Sequence, residues 1–298
     1  MPVMQRTNFS DSMAEGFRAI FLSEYDQVPT QYPQLFNMLT SRKQYEDDSY
    51  VAGFGTIPKK TEGSTITADA AIQGFDERYT HDTYALQYEI TEEMIEDELY
   101  GLISQFPAEL AVSMRITREQ SGANIYNNGF DSSVQTGGDG KELFATDHPL
   151  VGGGTQKNEL TSAADLEIDS LEQALIDIRA TTDDRGKLIN LRPRTLIVPP
   201  ELERKALEIM GSSLDPESAN NTINVYKGRL NVVVNDFLTD TDAWFILCDR
   251  HKVIWFDRIM PDHETGNDFN TGNMKHKVRS RWSNGWSLPW GAFGTPGV

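Results

Sequence analysis

A single cysteine, only five histidines and no apolar run approaching a membrane span set the first limits on this 298-residue chain. Lone Cys248 excludes an internal disulfide framework and any cysteine-cluster metal site. An integral membrane protein would need about 20 consecutive apolar residues, and none are present. The opening, MPVMQRTNFSDSMAEGF, lacks the continuous apolar stretch of a secretory signal. Positive charge is also scarce, with 27 Lys and Arg against 45 Asp and Glu, a formal net charge of −18. The deficit is uneven: residues 1–150 carry 24 acids and 10 bases, residues 151–298 carry 21 and 17. Such a chain repels phosphate at long range, which argues against sequence-specific nucleic-acid binding. Contact with nucleic acid at high local density, on a locally basic face, stays open. At 38% hydrophobic and 24% charged residues the composition is globular, with length for one large domain or two ordinary ones. The expectation is a soluble protein made in the cytoplasm.

Catalytic signatures are equally sparse. Asp147-His148 follows a strand-like LFAT and could be half of a hydrolytic pair or a metal site. His81, His251, His263 and His276 make no ligand spacing with it, however, and Pro149 points to a turn. Gly140-Lys141 runs into Glu142 rather than a Ser or Thr that could hold magnesium. At the strand-to-helix turn VPPEL, two prolines stand where a phosphate loop needs free N–H groups. No Gly-x-Ser-x-Gly elbow occurs. Cys248 in AWFILC reads as a buried small hydrophobe. The acids Glu89, Glu92, Glu93, Glu96, Asp97 and Glu98 lack the glycine-turn spacing of a calcium loop and read as a solvated helix start. Neither cofactor nor metal is expected.

What the chain does contain is an ordered series of elements. Phe17, Ile20, Phe21 and Tyr25 predict a short amphipathic helix over 11–25. Beyond it Pro29 and Pro33 interrupt, so 1–45 reads as an arm that finds its partners elsewhere. Residues 50–90 have no helical period; Tyr84, Leu86, Tyr88 and Ile90 alternate as a half-buried strand. The stretch reads as a long two-stranded excursion with a polar, flexible tip around Lys59–Thr67, and an isolated hairpin needs something to lie on. Apolar residues from Ile95 to Met114 recur every three to four positions, predicting a helix of roughly 35 residues and about 50 Å, capped by Thr91 and kinked or broken at Pro107. Ile168–Ile178 predicts a second helix with a Ser170/Gln173 capping box. TLIVPP (195–200) predicts a buried strand, and Pro200–Gly211 a third helix. Strands are expected at 222–226, 230–234, 243–248 and 252–256. Near the C-terminus, Lys275, Lys277, Arg279 and Arg281 alternate, so a strand would point all four the same way. Such a row needs acids, a neighbouring subunit or phosphates as company.

The segments KELFATDHPLVGGG (141–154), RPRTLIVPPELERKALEI (192–209), NVYKGRLNVVVNDFLTDTDAWFILCD (224–249) and RSRWSNGW…WGAFG (279–294) resemble the major capsid proteins of tailed bacteriophages. More narrowly, they resemble the Mu-like prophage major head subunit group. The resemblance implies an α+β Hong Kong 97-type fold: an N-terminal arm (1–45), an extended loop (46–90), a peripheral domain with a long spine helix (91–150, completed by returning strands in 255–298) and an axial domain (151–254). It also implies hexamers and pentamers enclosing packaged double-stranded DNA, with a separate scaffold protein, a portal and a decoration protein as partners. The virion capsid would be its location, after assembly in the host cytoplasm. Subunit-contact candidates are Lys275, Lys277, Arg279 and Arg281, with Lys59 and Lys60 on the loop. Some relatives join subunits through a Lys–Asn isopeptide bond from this loop, whereas others carry lysines there and do not. Two alternatives belong to different classes: an encapsulin-like compartment shell, and a soluble metal-dependent hydrolase using Asp147 and His148.

Overall fold

A computed structural model describes residues 10–97, 101, 103–214, 222–268 and 271–298. Two four-stranded sheets organise it. In the first, β1 (Asn37–Thr40), β10 (Val253–Asn267), β11 (Met274–Trp286) and β4 (Asp82–Ile90) lie side by side in that order. In the second the order is β12 (Ala292–Thr295), β9 (Trp244–Cys248), β7 (Pro193–Val198) and β8 (Asn231–Val234). A separate antiparallel pair, β2 (Tyr45–Ala52) and β3 (Ile72–Thr80), extends between β1 and β4 in sequence, and a two-residue ladder joins β5 (His148–Pro149) to β6 (Thr155–Gln156).

Two helices, α1 (Ser10–Gln27) and α3 (Gln105–Asn127), pack together over the first sheet. The second sheet is buried on both faces, and β9 shows why. Phe245 and Leu247 belong to the cluster containing Tyr126 and Trp255. Trp244, Ile246 and Cys248 belong to the cluster formed with α4 (Ile168–Ala180) and α5 (Glu203–Gly211). All five β9 residues are buried, the continuous apolar run expected of a strand covered on both sides.

The expected 35-residue helix is broken. A short α2 (Glu92–Glu96), capped by Thr91 Oγ accepting the Met94 N–H at 3.2 Å, is separated from the 23-residue α3. Pro107 falls in the first turn of α3, where its missing N–H costs nothing. The helix therefore begins just before the proline, about 35 Å long at 1.5 Å per residue.

Further expectations are corrected. Residues 20–40 are no arm without a core: Phe21, Tyr32, Leu35 and Phe36 are buried in this chain's own cluster, and β1 pairs in parallel with β10. Gly122 of α3 permits that approach, because a Cβ there would stand 2.9 Å from Tyr32 Cβ. The 222–226 stretch is not a strand; Asn224 and Tyr226 are buried but Ile223 forms only an isolated bridge. The capping box of α4 uses Glu167 and Ser170, with Ser170 Oγ accepting the Glu167 N–H at 2.9 Å, while Gln173 bonds Asp177 one turn on. Finally, β10 runs eleven residues beyond its expected end at Phe256. Pro261 is tolerated because β1 covers only Ile254–Asp257, and the register shifts near it. The last strand, β12, leaves this sheet and pairs with β9 instead, so the chain's end does not stay wholly with the returning strands.

Candidate assembly surfaces

The basic row sits on β11 as its alternation requires. Met274, His276, Val278, Ser280 and Trp282 are buried, and the intervening Lys275, Lys277, Arg279 and Arg281 face outward. Two of the four already have carboxylates within the chain: Lys275 Nζ lies 2.8 Å from Asp268 Oδ2 and Lys277 Nζ 2.6 Å from Glu264 Oε2. Arg281 donates to the His81 carbonyl at 3.1 Å. Arg279 stands opposite Asp262 in the β10–β11 register. Half the row's charge is thus met locally, by Glu264 on the neighbouring strand and Asp268 just beyond its end, which sequence spacing alone did not reveal.

Residues 53–71 connect β2 to β3 without regular structure. Lys59 and Lys60 are exposed here, and so are Phe54, Ile57 and Ile66, the last two at 96% and 82%. The two ends of this connection, flanking the tip, are moored to a distant turn of the same chain: Arg185 pairs with Asp69, and Lys187 donates to the Phe54 carbonyl. Asp69 also accepts the Gly55 N–H at 2.7 Å, and these contacts hold its carboxyl down at about 2.

The structure separates Asp147 from His148. Asp147 is exposed and pairs with Lys141 at 2.7 Å. His148 is buried with both ring nitrogens engaged, Nδ1 at 2.7 Å from Asp139 Oδ2 and Nε2 at 3.1 Å from Asn158 Oδ1. Asn158 in turn accepts the Ala145 N–H and donates to the carbonyls of Leu143, Pro289 and Ala292 at 2.7–3.2 Å. This is a fastener between loop 143–148 and the start of β12. Among the described residues no three His, Cys, Asp or Glu side chains group as metal ligands. Cys248 is buried, which pushes its thiol up to about 12, far from a nucleophile's range. Of the acidic group, Glu89 accepts a hydrogen bond from Asn273 at 2.9 Å; the side chains of Glu92, Glu96 and Glu98 lie outside the described residues.

Two buried polar constellations were missed. Arg118 is fully buried, 2.6 Å from Asp257 and bonded to the Tyr32 hydroxyl at 2.8 Å, with the rings of Tyr32, Trp255 and Trp282 around its guanidinium. Its neighbour Glu119 accepts the N–H groups of Gln31 and Tyr32 at 2.7 and 2.9 Å; burial pushes its carboxyl up. Both were legible in outline. Arg118 occupies the inward period of Leu110 and Met114, and Asp257 the inward alternation of Val253 and Trp255.

The second constellation is His263 on β10 with His276 on β11, buried and stacked at 5.5 Å, with no hydrogen-bond partner on any ring nitrogen among the described residues. Tyr88 stacks on His276 at 4.8 Å; Phe17 and Phe21 of α1 cover the pair. Burial pushes His276 down to about 4 and lowers His263 as well.

The described residues thus form two four-stranded sheets with a long hairpin excursion, whose exposed side chains Phe54, Ile57 and Ile66 find no cover among them. The chain belongs to the phage capsid protein family, whose model matches residues 75–285. The major capsid protein of Escherichia phage Mu is 30% identical over 101 residues, 34% of this chain and 33% of that protein. The matched stretch therefore spans about a third of that relative. Among solved structures, the cyanophage P-SCSP1u capsid superposes with a TM-score of 0.58 at 12% identity, covering 89% of this chain and 87% of that one. The bacteriophage JBD30 capsid gives 0.56 at 16%, covering 80% and 96%. The virus-like particle from Pyrococcus furiosus gives 0.52 at 10%, covering 95% and 99%. At these identities the likeness shows the fold, which is the Hong Kong 97 type.

Proposed function

We propose that this chain is the major head subunit of a tailed phage, building hexamers and pentamers into an icosahedral shell around double-stranded DNA. The observation that carries the reading is the β2–β3 excursion, with Ile57 and Ile66 almost wholly exposed at its end. A two-stranded ribbon is marginal alone, and apolar side chains so displayed are stabilised only by another surface. Repetition of one contact between identical copies supplies that surface at every subunit.

On this reading the β2–β3 ribbon and the loop joining its strands lie over a neighbouring copy, bringing Lys59 and Lys60 to the contact, while β4, at the end of the expected 46–90 excursion, stays paired with β11 in the first sheet. Residues 20–40 stay with this chain's own core, and 91–150 with β10 and β11 form the peripheral part around α3. Residues 151–254, joined by β12, form the axial part that converges at ring centres. The row Lys275, Lys277, Arg279 and Arg281 meets a neighbouring copy's acids or packaged DNA. A separate scaffold and a portal complete assembly in the host cytoplasm. The JBD30 capsid has been solved decorated with minor capsid protein trimers, and a decoration partner is proposed here by that analogy. No catalytic role is assigned.

Negative-stain microscopy and mass photometry of the purified chain, with and without co-expressed scaffold, test the reading. Rings of five or six, tubes or closed shells are expected. Ile57→Asp with Ile66→Asp should leave a folded monomer that forms none of them. A clean monomer from the parent chain under all conditions would overturn the proposal, and small closed shells without scaffold or nucleic acid would favour the compartment-shell alternative.

A further inference from the structure

Against a net charge of −18, one concavity gathers four arginines. Arg179, Arg192, Arg194 and Arg229, with Asn190, Leu191 and Pro193, line a pocket of about 550 Å³. The fold converges them from three elements. Arg179 occupies the last turn of α4, where the helix dipole favours a cation. Arg192 and Arg194 flank Pro193 at the start of β7. Arg229 comes just before β8, which runs parallel beside β7 with Thr195 opposite Asn231.

No carboxylate lines this pocket, and among the described residues none of the four guanidinium groups has an acid within ion-pair distance. Asp249 is nearby, but its carboxylate accepts the Arg192 backbone N–H at 3.2 Å. Arg229 lies over the Tyr226 ring at 5.4 Å. Asn190 on the same wall has φ +58°, the one non-glycine left-handed residue among those described.

We propose that this pocket binds a compact, multivalent phosphate-class anion. Guanidinium forks match phosphate oxygens pairwise, which ammonium groups do not. Four like charges held on one wall create a strong local potential that a polyvalent anion relieves. The volume suits a small ligand. The lining holds no aromatic face on which bases could stack, the usual companion of a basic groove for single strands. This inference stands whether or not the shell reading holds.

The test is isothermal titration of the purified full chain with inorganic tripolyphosphate, orthophosphate, a ten-nucleotide single strand and a hexaglutamate peptide. Tripolyphosphate should bind at least tenfold tighter than orthophosphate. It should lose at least tenfold in Arg192→Ala with Arg229→Ala, and a substantial part of that in the Arg→Lys pair. All four arginines are exposed, so these variants should fold, and circular dichroism checks it. Absent binding, or binding unchanged in both variants, overturns the proposal. Overturning it too would be a single strand that binds while tripolyphosphate neither binds nor competes, which marks a nucleic-acid contact. Hexaglutamate matching tripolyphosphate overturns it in favour of a contact with acidic segments of another copy.

Discussion

The stacked pair His263 and His276 makes acid the sharpest perturbation of this fold. Each ring faces aromatic carbon rather than water or an acceptor, so the folded state favours the neutral form. The charged groups near them offer little relief: on α1, Arg18 opposes protonation of His263; on β10, Asp262 favours it but is 3.3 Å from Arg18; Tyr25 and Tyr88 remain neutral, with burial pushing both upward. A depressed histidine costs nothing above its unfolded value of about 6.5, where both states are neutral. As pH falls below that value the unfolded chain takes up a proton that the folded chain refuses, and stability declines until the folded ring titrates at about 4. At 1.36 kcal/mol per pH unit, His276 alone removes about 3 kcal/mol across that window. Relief comes most directly by lifting α1, which covers the pair through Phe17 and Phe21. Urea unfolding followed by tryptophan fluorescence at pH 7.5, 6.0, 5.0 and 4.5 measures the effect. His276→Phe should match the parent within about 1 kcal/mol at pH 7.5 and lose markedly less stability on acidification; His276→Gln checks that the difference is not one of packing. Parallel pH profiles for parent and variants would refute the argument.

Other substitutions probe the remaining fasteners. Asp257→Ala strands the buried Arg118 guanidinium and should cost about 3–5 kcal/mol in urea unfolding, whereas Arg118→Met with Asp257→Leu should recover much of that loss. Asn158→Ala leaves an N–H and three carbonyls near the β12 start short of partners; a loss of about 3 kcal/mol or more is expected, read as a lowered thermal midpoint. Gly152→Ala would place a Cβ 2.1 Å from the Asp184 carbonyl oxygen, so the 150–154 turn must move, and amide exchange should rise there and at 181–187. Arg185→Ala frees Asp69 at the base of the 53–71 connection; limited trypsin digestion should cut faster at Lys59 and Lys60, with global stability changed by no more than about 1 kcal/mol.

Much of this molecule was determined locally and could be read in order. Alternation set β4 and the outward row on β11, the 3.6-residue period set α4 and α5, and prolines marked where TLIV stops. These features depend on neighbours within a few residues, which the sequence displays directly. Family likeness was carried by segment order, because the chain has no catalytic signature to carry it.

Tertiary structure decided what depends on meetings across long separations. His148 sits beside Asp147 in sequence, yet its partners are Asp139 and Asn158, while Asp147 turns outward to Lys141. Whether 20–40 formed a loose arm or part of the core turned on Gly122 letting Tyr32 reach α3, over eighty residues away. The partners of Lys275 and Lys277 were fixed by the β10–β11 register. Arg118 and Asp257 each look like an error of pattern when read alone. Only the fold brings two misplaced charges to 2.6 Å and makes each the reason the other can be buried.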